Sequence, residues 1–345
     1  MGTWTRLSPD HPLEQRFAAL RSQGRPALVA FVPAGDPQLS ATGELFDVLL
    51  QSGVDVIEVG FPYSDPIADG PLIQAAYTRA LSRGIRVHEI LELASSWLSA
   101  RRQSPPSSSQ AFSKEPGVVP GDRQTPGPSS ALTLPARSIA APKPMPGLSL
   151  RADVPLMAMV SYSIVYRQGE GHFAERCAAA GFSGMIVPDL PAEEAASLAA
   201  ICRQHDLALV QLVAPTTPWH RVQTIVAQCS GFVYCVSVTG ITGMRERLPE
   251  ELRQRLETLR SITDLPVCVG FGISRPEHAR ILKPFADGII VGSALVARLA
   301  EADRRPWEEI KASLAELIRE LRQALDAGVT AAETSTAPAQ QTASQ

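Results

Sequence analysis

Residues 54–71 read Val-Asp-Val-Ile-Glu58-Val-Gly60-Phe-Pro-Tyr-Ser-Asp65-Pro-Ile-Ala-Asp69-Gly-Pro71. A short run that is apolar on both faces is the pattern of a strand buried in a parallel sheet. Glu58 is the exception within it. Side chains alternate along a strand, so Glu58 shares a face with Val56 and points away from Asp55. The loop that follows is stiffened by Pro62, Pro66 and Pro71. It holds two acids, Asp65 and Asp69, at the exit of the strand.

The same unit recurs along the chain. Apolar runs at Ala27–Pro33, Val54–Gly60, Pro155–Ser161, Gly184–Pro188, Leu207–Val213, Gly231–Ser237, Pro266–Gly270 and Asp287–Gly292 alternate with helical patterns. Eight strands, each followed by helical sequence, predict an α/β fold, a single-domain (β/α)8 TIM barrel. The rival is an open doubly wound sheet, which usually carries G-x-G-x-x-G after its first strand. Here that loop reads Pro33-Ala-Gly-Asp-Pro37. Helix starts are expected at Asp36-Pro37, with Asp36 as N-cap. A capping box is expected at Ser274-Arg-Pro-Glu277, and a first turn carrying Glu193 and Glu194 after Pro191.

Residues 104–150 break the alternation. They hold ten Pro, nine Ser and four Gly. Such a segment cannot bury enough apolar surface to offset its ordering entropy, so it reads as a disordered insertion between the second helix and the third strand. The expected layout is barrel over 1–103, insertion over 104–150, barrel over 151–327 and a disordered tail over 328–345. The joints of the insertion fall at the bottom of the barrel, away from the catalytic loops.

Composition removes several function classes. The 345 residues are 45% hydrophobic with a net charge of −3. No basic stripe points to nucleic acid, and no apolar run approaches the length of a membrane span. Arg6, Asp10, Glu14 and Arg16 at the start leave no apolar signal segment, so a cytoplasmic setting is expected. Five scattered cysteines, never spaced C-x-x-C, read as reduced thiols. The six histidines fall in or beside helices, so no metal site is expected. Only Lys114, Lys143, Lys283 and Lys311 are lysines. Two of them lie in the insertion and two on late helices, which argues against Schiff-base chemistry.

Chemistry in a barrel sits where strands end. Glu58, facing the interior, would be desolvated and its pKa raised toward the acid/base range; the competing reading is a buried Glu paired with an Arg. Asp65 and Asp69 fit either a catalytic loop or plain turn chemistry before Pro and Gly. Glycine-bearing loops follow three successive strands: Thr239-Gly-Ile-Thr-Gly243, Gly270-Phe-Gly272-Ile-Ser274 and Val291-Gly292-Ser293. They fit a phosphate site built from amides and a helix dipole, or tight turns that need Gly. Carboxylate acid/base chemistry on a phosphorylated small molecule is what remains.

The stretch from Glu58 to Pro71 closely resembles the signature of the tryptophan synthase α chain. Pro188-Asp-Leu-Pro-Ala-Glu-Glu194, Ser237-Val-Thr-Gly-Ile-Thr-Gly243, Gly270-Phe-Gly-Ile-Ser274 and Gly292-Ser293 support it in order and spacing. The resemblance implies a lyase that cleaves indole-3-glycerol phosphate to indole and glyceraldehyde 3-phosphate. It implies that Glu58 transfers the protons and that Asp69 accepts the indole N–H. Phe31 and Tyr234 would line the indole pocket, with Thr242 in a loop that closes over it. Gly243, Gly272, Gly292 and Ser293 would hold the phosphate. It further implies an αββα heterotetramer with a β chain to which indole is passed. Pro62 and Asp65 would lie at that interface, and pyridoxal phosphate would sit only in the β chain. Two other functions compete: a catalytically weak module that mainly activates the β chain, and another phosphosugar barrel such as an isomerase. Intact Glu58 and Asp69 argue against the first, and the strand-2 motif against the second. One departure stands out. Ser161-Tyr-Ser163 follows strand 3, where the family usually has Tyr-Xaa-Asn.

Overall fold

The computed structural model describes residues 7–66, 69–103, 154–237, 248–270 and 272–328. Helix α1 (Pro12–Ser22) precedes β1 (Ala27–Pro33), α2 (Leu39–Gln51) and β2 (Val56–Gly60). Two helices, α3 (Pro71–Ser82) and α4 (Val87–Gln103), follow β2. The chain continues through β3 (Leu156–Met159), α5 (Tyr162–Gln168), α6 (Glu170–Ala179), β4 (Gly184–Ile186) and α7 (Ala196–Gln204). Next come β5 (Ala208–Val210), β6 (Leu212–Val213), α8 (Trp219–Gln228), β7 (Val233–Val236) and α9 (Glu250–Ile262). It ends with β8 (Val267–Gly270), α10 (Pro276–Leu282), β9 (Gly288–Val291), α11 (Ser293–Leu299) and α12 (Trp307–Asp326).

All pairings are parallel, in the order β5-β4-β3-β2-β1-β9-β8-β7-β6. The two ends of that row are one stretch of chain, parted only by Gln211. The sheet therefore closes on itself, and the eight expected strands appear as nine segments because the fifth is interrupted. Its first half pairs with β4 and its second with β7. The expected insertion (104–150) and nearly all of the expected tail (329–345) lie outside the described residues. The described chain leaves the first of these segments' positions at the end of α4 and resumes just before β3.

The strict inward–outward alternation divides the core in two. Ala27, Val29 and Phe31 of β1 join Val56, Met157, Ile186, Val210, Tyr234 and Ile290 inside the barrel. Leu28, Ala30 and Val32 face the helices with Ile57, Val59 and the apolar stripe of α12. Both faces of nearly all the strands are buried, with Leu212 of β6 and Val236 of β7 only half-buried, which explains the apolar runs in the sequence.

Helix α1 plugs the N-terminal end of the barrel. Leu13, Phe17 and Leu20 belong to the interior cluster, and the Phe17 ring lies 5.9 Å from that of Phe232. Pro12 occupies the first helical position, as its fixed φ favours. The N-cap is His11, which is buried. Its Nδ1 accepts from the Leu13 N–H at 3.2 Å, and its Nε2 lies 2.9 Å from the Ser183 carbonyl. Only the neutral ring protonated on Nε2 satisfies both partners. Burial holds its pKa below the ordinary histidine value. A lowered folded pKa means stability present above about 6.5 and lost as pH falls below it. Thermal unfolding followed between about pH 5 and 8 is therefore expected to show His11→Asn flattening the acid side of the profile. An unchanged acid slope would contradict this.

Three expected helix starts are corrected. Helix α2 begins at Leu39 with Gln38 as N-cap. Asp36 is fully buried and receives both Nε and Nη2 of Arg79, at 2.8 and 2.6 Å. A two-pronged guanidinium from α3 outcompetes a capping role. The N-cap of α10 is Arg275 without a side-chain cap; the Ser274 N–H donates to His278 Nδ1 instead. Glu193 and Glu194 lie in turns before α7, and Glu193 pairs with Arg221. All five cysteines are buried and unbridged. No helix among the described residues is long and apolar enough to cross a membrane.

Candidate active site

A cleft of about 380 Å³, counting the space at its open mouth, lies inside the barrel. Its walls include Phe31, Glu58, Asp69, Tyr234, Gly272, Gly292 and Ser293. These residues come from β1, β2, β7 and the loops after β2, β8 and β9, so the cleft opens at the C-terminal ends of the strands, where this architecture places chemistry. Ile73, Met159 and Ile290 complete it.

Glu58 is in register with Phe31 on one side and Met157 on the other. It is fully buried, and neither carboxylate oxygen has a hydrogen-bond partner among the described residues. The reading of a Glu–Arg pair is therefore set aside. Desolvation alone pushes its pKa up to about 8. Tyr234 and Tyr77 both feel its charge, and burial drives both phenols well above their ordinary range. A carboxyl in such a place is neutral near pH 7 and gives or takes a proton readily.

The loop after β2 places Asp69 partly in solvent. Its N–H donates to the Pro66 carbonyl at 3.1 Å, and its own carbonyl accepts from Gln74 Nε2 at 2.8 Å. The main chain of Asp69 makes the turn, and its side chain lines the cleft. Tyr63 donates its hydroxyl to Asp69 Oδ2 at 3.0 Å. Burial still holds the Asp69 pKa above the usual carboxylate value, against the effect of that hydrogen bond.

Two glycines have a role that the sequence did not show. A Cβ on Gly60 would fall 2.6 Å from Tyr77 Oη and 2.7 Å from the Phe31 ring. One on Gly270 would strike the Tyr234 phenol. Inward positions at two strand ends are left empty so that aromatic rings from other elements can form the cleft wall. Gly272 has φ +77°, where only Gly is at ease. Gly292 is the N-cap of α11 and Ser293 its first residue.

The other residues singled out in the sequence do not line the cleft among the described residues. Pro62 is buried within this chain, whereas Asp65 is exposed on the same loop. Thr242 and Gly243 lie outside the described residues. Ser161 caps α5, and its hydroxyl donates to Asp189 at 2.6 Å, so the departure after strand 3 is tied into the loop after β4. Lys283 caps α10 and Lys311 lies in α12; neither lines the cleft. Among the described residues no group of His, Cys, Asp and Glu is arranged to hold a metal.

Comparison with known proteins agrees with this geometry. The family model that matches is described as Tryptophan synthase alpha chain, over residues 17–107 and 148–326. The tryptophan synthase alpha chain of Microcystis aeruginosa is 40% identical over 310 residues, covering 90% of this chain and 97% of its own. That of Rhodopirellula baltica is 40% identical over 323 residues, covering 92% and 99%. The solved Mycobacterium tuberculosis tryptophan synthase superposes with a TM-score of 0.69 at 30% identity, covering 92% of this chain and 98% of that one. Matches of this length and identity, on a barrel of this topology, show that the chain belongs to the tryptophan synthase alpha chain family.

Proposed function

We propose that this cleft cleaves indole-3-glycerol phosphate into indole and glyceraldehyde 3-phosphate, and that Glu58 carries the protons. The observation behind this is the buried, unpartnered carboxyl of Glu58 in a cleft that also holds Asp69. Neutral Glu58 protonates indole C3, which places positive charge on the ring nitrogen. Asp69 accepts the ring N–H and offsets that charge where it develops. The Glu58 carboxylate so formed takes the proton of the hydroxyl on the neighbouring side-chain carbon. The bond between that carbon and C3 then breaks. Its electron pair returns to the ring, the aldehyde forms, and Glu58 ends as it began. Two acids in unlike surroundings thus hold two unlike jobs.

Phe31 and Tyr234 flank the ring, and the amides at Gly272, Gly292 and Ser293 take the phosphate at the start of α11. None of these steps asks for a cofactor in this chain. Pyridoxal phosphate belongs to the partner β chain, with which this chain assembles as αββα in the cytoplasm. An intact acid pair in one cleft favours catalysis over a module that only activates the β chain.

The test is release of indole by the purified chain, with and without a β chain. Indole formed in step with glyceraldehyde 3-phosphate is the expected result, and absence of both in either condition overturns the reading. A pH profile sharpens it. Since the starting state holds Glu58 protonated and its pKa lies near 8, kcat/KM is expected to fall above about pH 8. A rise through that range would mean that the carboxylate, not the acid, begins the reaction.

A further inference from the structure

The mechanism needs Asp69 both ionised and aimed, yet its surroundings oppose ionisation. Glu58 on β2, Tyr77 on α3, Tyr234 on β7 and Asp189 after β4 are the titratable groups that face it with Tyr63, and none carries positive charge. Burial and the charge of Asp189 both favour the neutral acid. The one group that opposes them is the Tyr63 hydroxyl, at 3.0 Å from Oδ2. Oδ1 takes no hydrogen bond among the described residues, so one carboxylate oxygen is held and the other is open.

The Tyr63 ring is itself held. Its centroid lies 5.4 Å from that of Tyr77, and Tyr77 is buried against Phe31 with ring centroids 6.5 Å apart. A chain of three rings therefore runs from the barrel wall to the Asp69 carboxylate. The main chain of Asp69 is pinned separately through Pro66 and Gln74. Turn geometry thus does not depend on the phenol, and the phenol acts on the carboxylate alone.

We propose that Tyr63 is the positioning residue for Asp69: its phenol holds Oδ2 so that Oδ1 meets the ring N–H of the substrate. This rests on the reading of the cleft proposed above. Hydrogen bonds to charged groups are among the stronger ones, so their loss is read as a large change. In Tyr63→Phe the ring stack survives and only the donor is lost. The kcat for indole release is expected to fall about 10-fold, with KM moved roughly twofold or less. The acid limb of the kcat profile, which follows Asp69, is expected to move up by about one pH unit.

The experiment has two arms on the full chain. Carbon-13 NMR of labelled aspartate follows the Asp69 carboxyl without any need for turnover, its signal assigned with Asp69→Asn. An upward move of this titration in Tyr63→Phe is expected, and an unmoved one overturns the proposal. Steady-state kinetics of Tyr63→Phe, Asp69→Asn and the double variant form the second arm. The phenol should matter only while Asp69 is present, so the double variant should match Asp69→Asn. An equal loss from Tyr63→Phe in both backgrounds, or a loss uniform in pH, would show a merely structural role and overturn the proposal. If the parent releases no indole while the titration still moves, the reading of the function fails and the effect of Tyr63 on Asp69 stands apart from it.

Discussion

Glu58→Gln is expected to lower indole release by about 10²–10⁴-fold, the range that a positioned proton-transfer group supplies. The amide keeps the shape and cannot give or take the proton. Binding of glyceraldehyde 3-phosphate should persist, because the amides proposed to hold its phosphate, around Gly272, Gly292 and Ser293, are untouched. A variant that keeps more than about a tenth of the parent rate would remove Glu58 from the proton path. The same substitution carries a second signature. Glu58 has a folded pKa near 8 against an ordinary 4.5. A raised carboxyl pKa means stability present at low pH and lost progressively as pH climbs from about 4.5 to about 8. Gln removes that loss. The variant should melt at or above the temperature of the parent, by a margin that widens over that interval. Lower activity with higher alkaline stability is the mark of a site that trades one for the other. A parallel fall in both would point to a folding defect instead.

The largest expected effect on stability lies at the other end of the barrel. Arg322 of α12 is buried and donates to Asp55 Oδ2 at 3.0 Å, to the Pro26 carbonyl at 3.1 Å and to Asp326 at 2.6 Å. Asp326 also receives Arg25, and Asp55 caps the Leu28 N–H at 3.0 Å. This network ties the starts of the first two strands to the last helix. Burial raises the Asp55 pKa even with Arg322 beside it. Arg322→Met should cost about 3–5 kcal/mol, because it leaves Asp55 buried without its main counter-charge. The deficit should shrink as pH falls toward about 4, where the unfolded chain also protonates this acid. Adding Asp55→Asn should recover part of it. Denaturant unfolding across this cycle checks the effect; a single substitution costing under about 1 kcal/mol would show that packing, not charge, dominates there.

The barrel was legible because the strands are buried on both faces almost throughout, so each stands out as an apolar run. The orientation of Glu58 followed from its alternation with Asp55 alone. Local signals served less well where a distant group intervened. Asp36 looks like a cap until Arg79 arrives from α3. Gly270 looks like a turn or ligand glycine and Gly60 like a plain strand residue, and the real constraint on both is set by rings on other elements. The Asp55–Arg322 pair spans 267 positions, and no local reading connects them. The interruption at Gln211 is likewise hidden, since Leu207–Val213 is continuous in pattern and breaks where the Gln211 N–H turns to Cys229 Sγ at 3.3 Å.

The helix seated under the barrel has a consequence for traffic. With Leu13, Phe17 and Leu20 filling the N-terminal end, the barrel is a blind-ended vessel. Among the described residues, the opening left to reactant, products and any docking partner is the rim that carries the loop after β2. Whoever occupies that doorway decides where the smaller product goes next, so hand-over to a partner needs no separate exit.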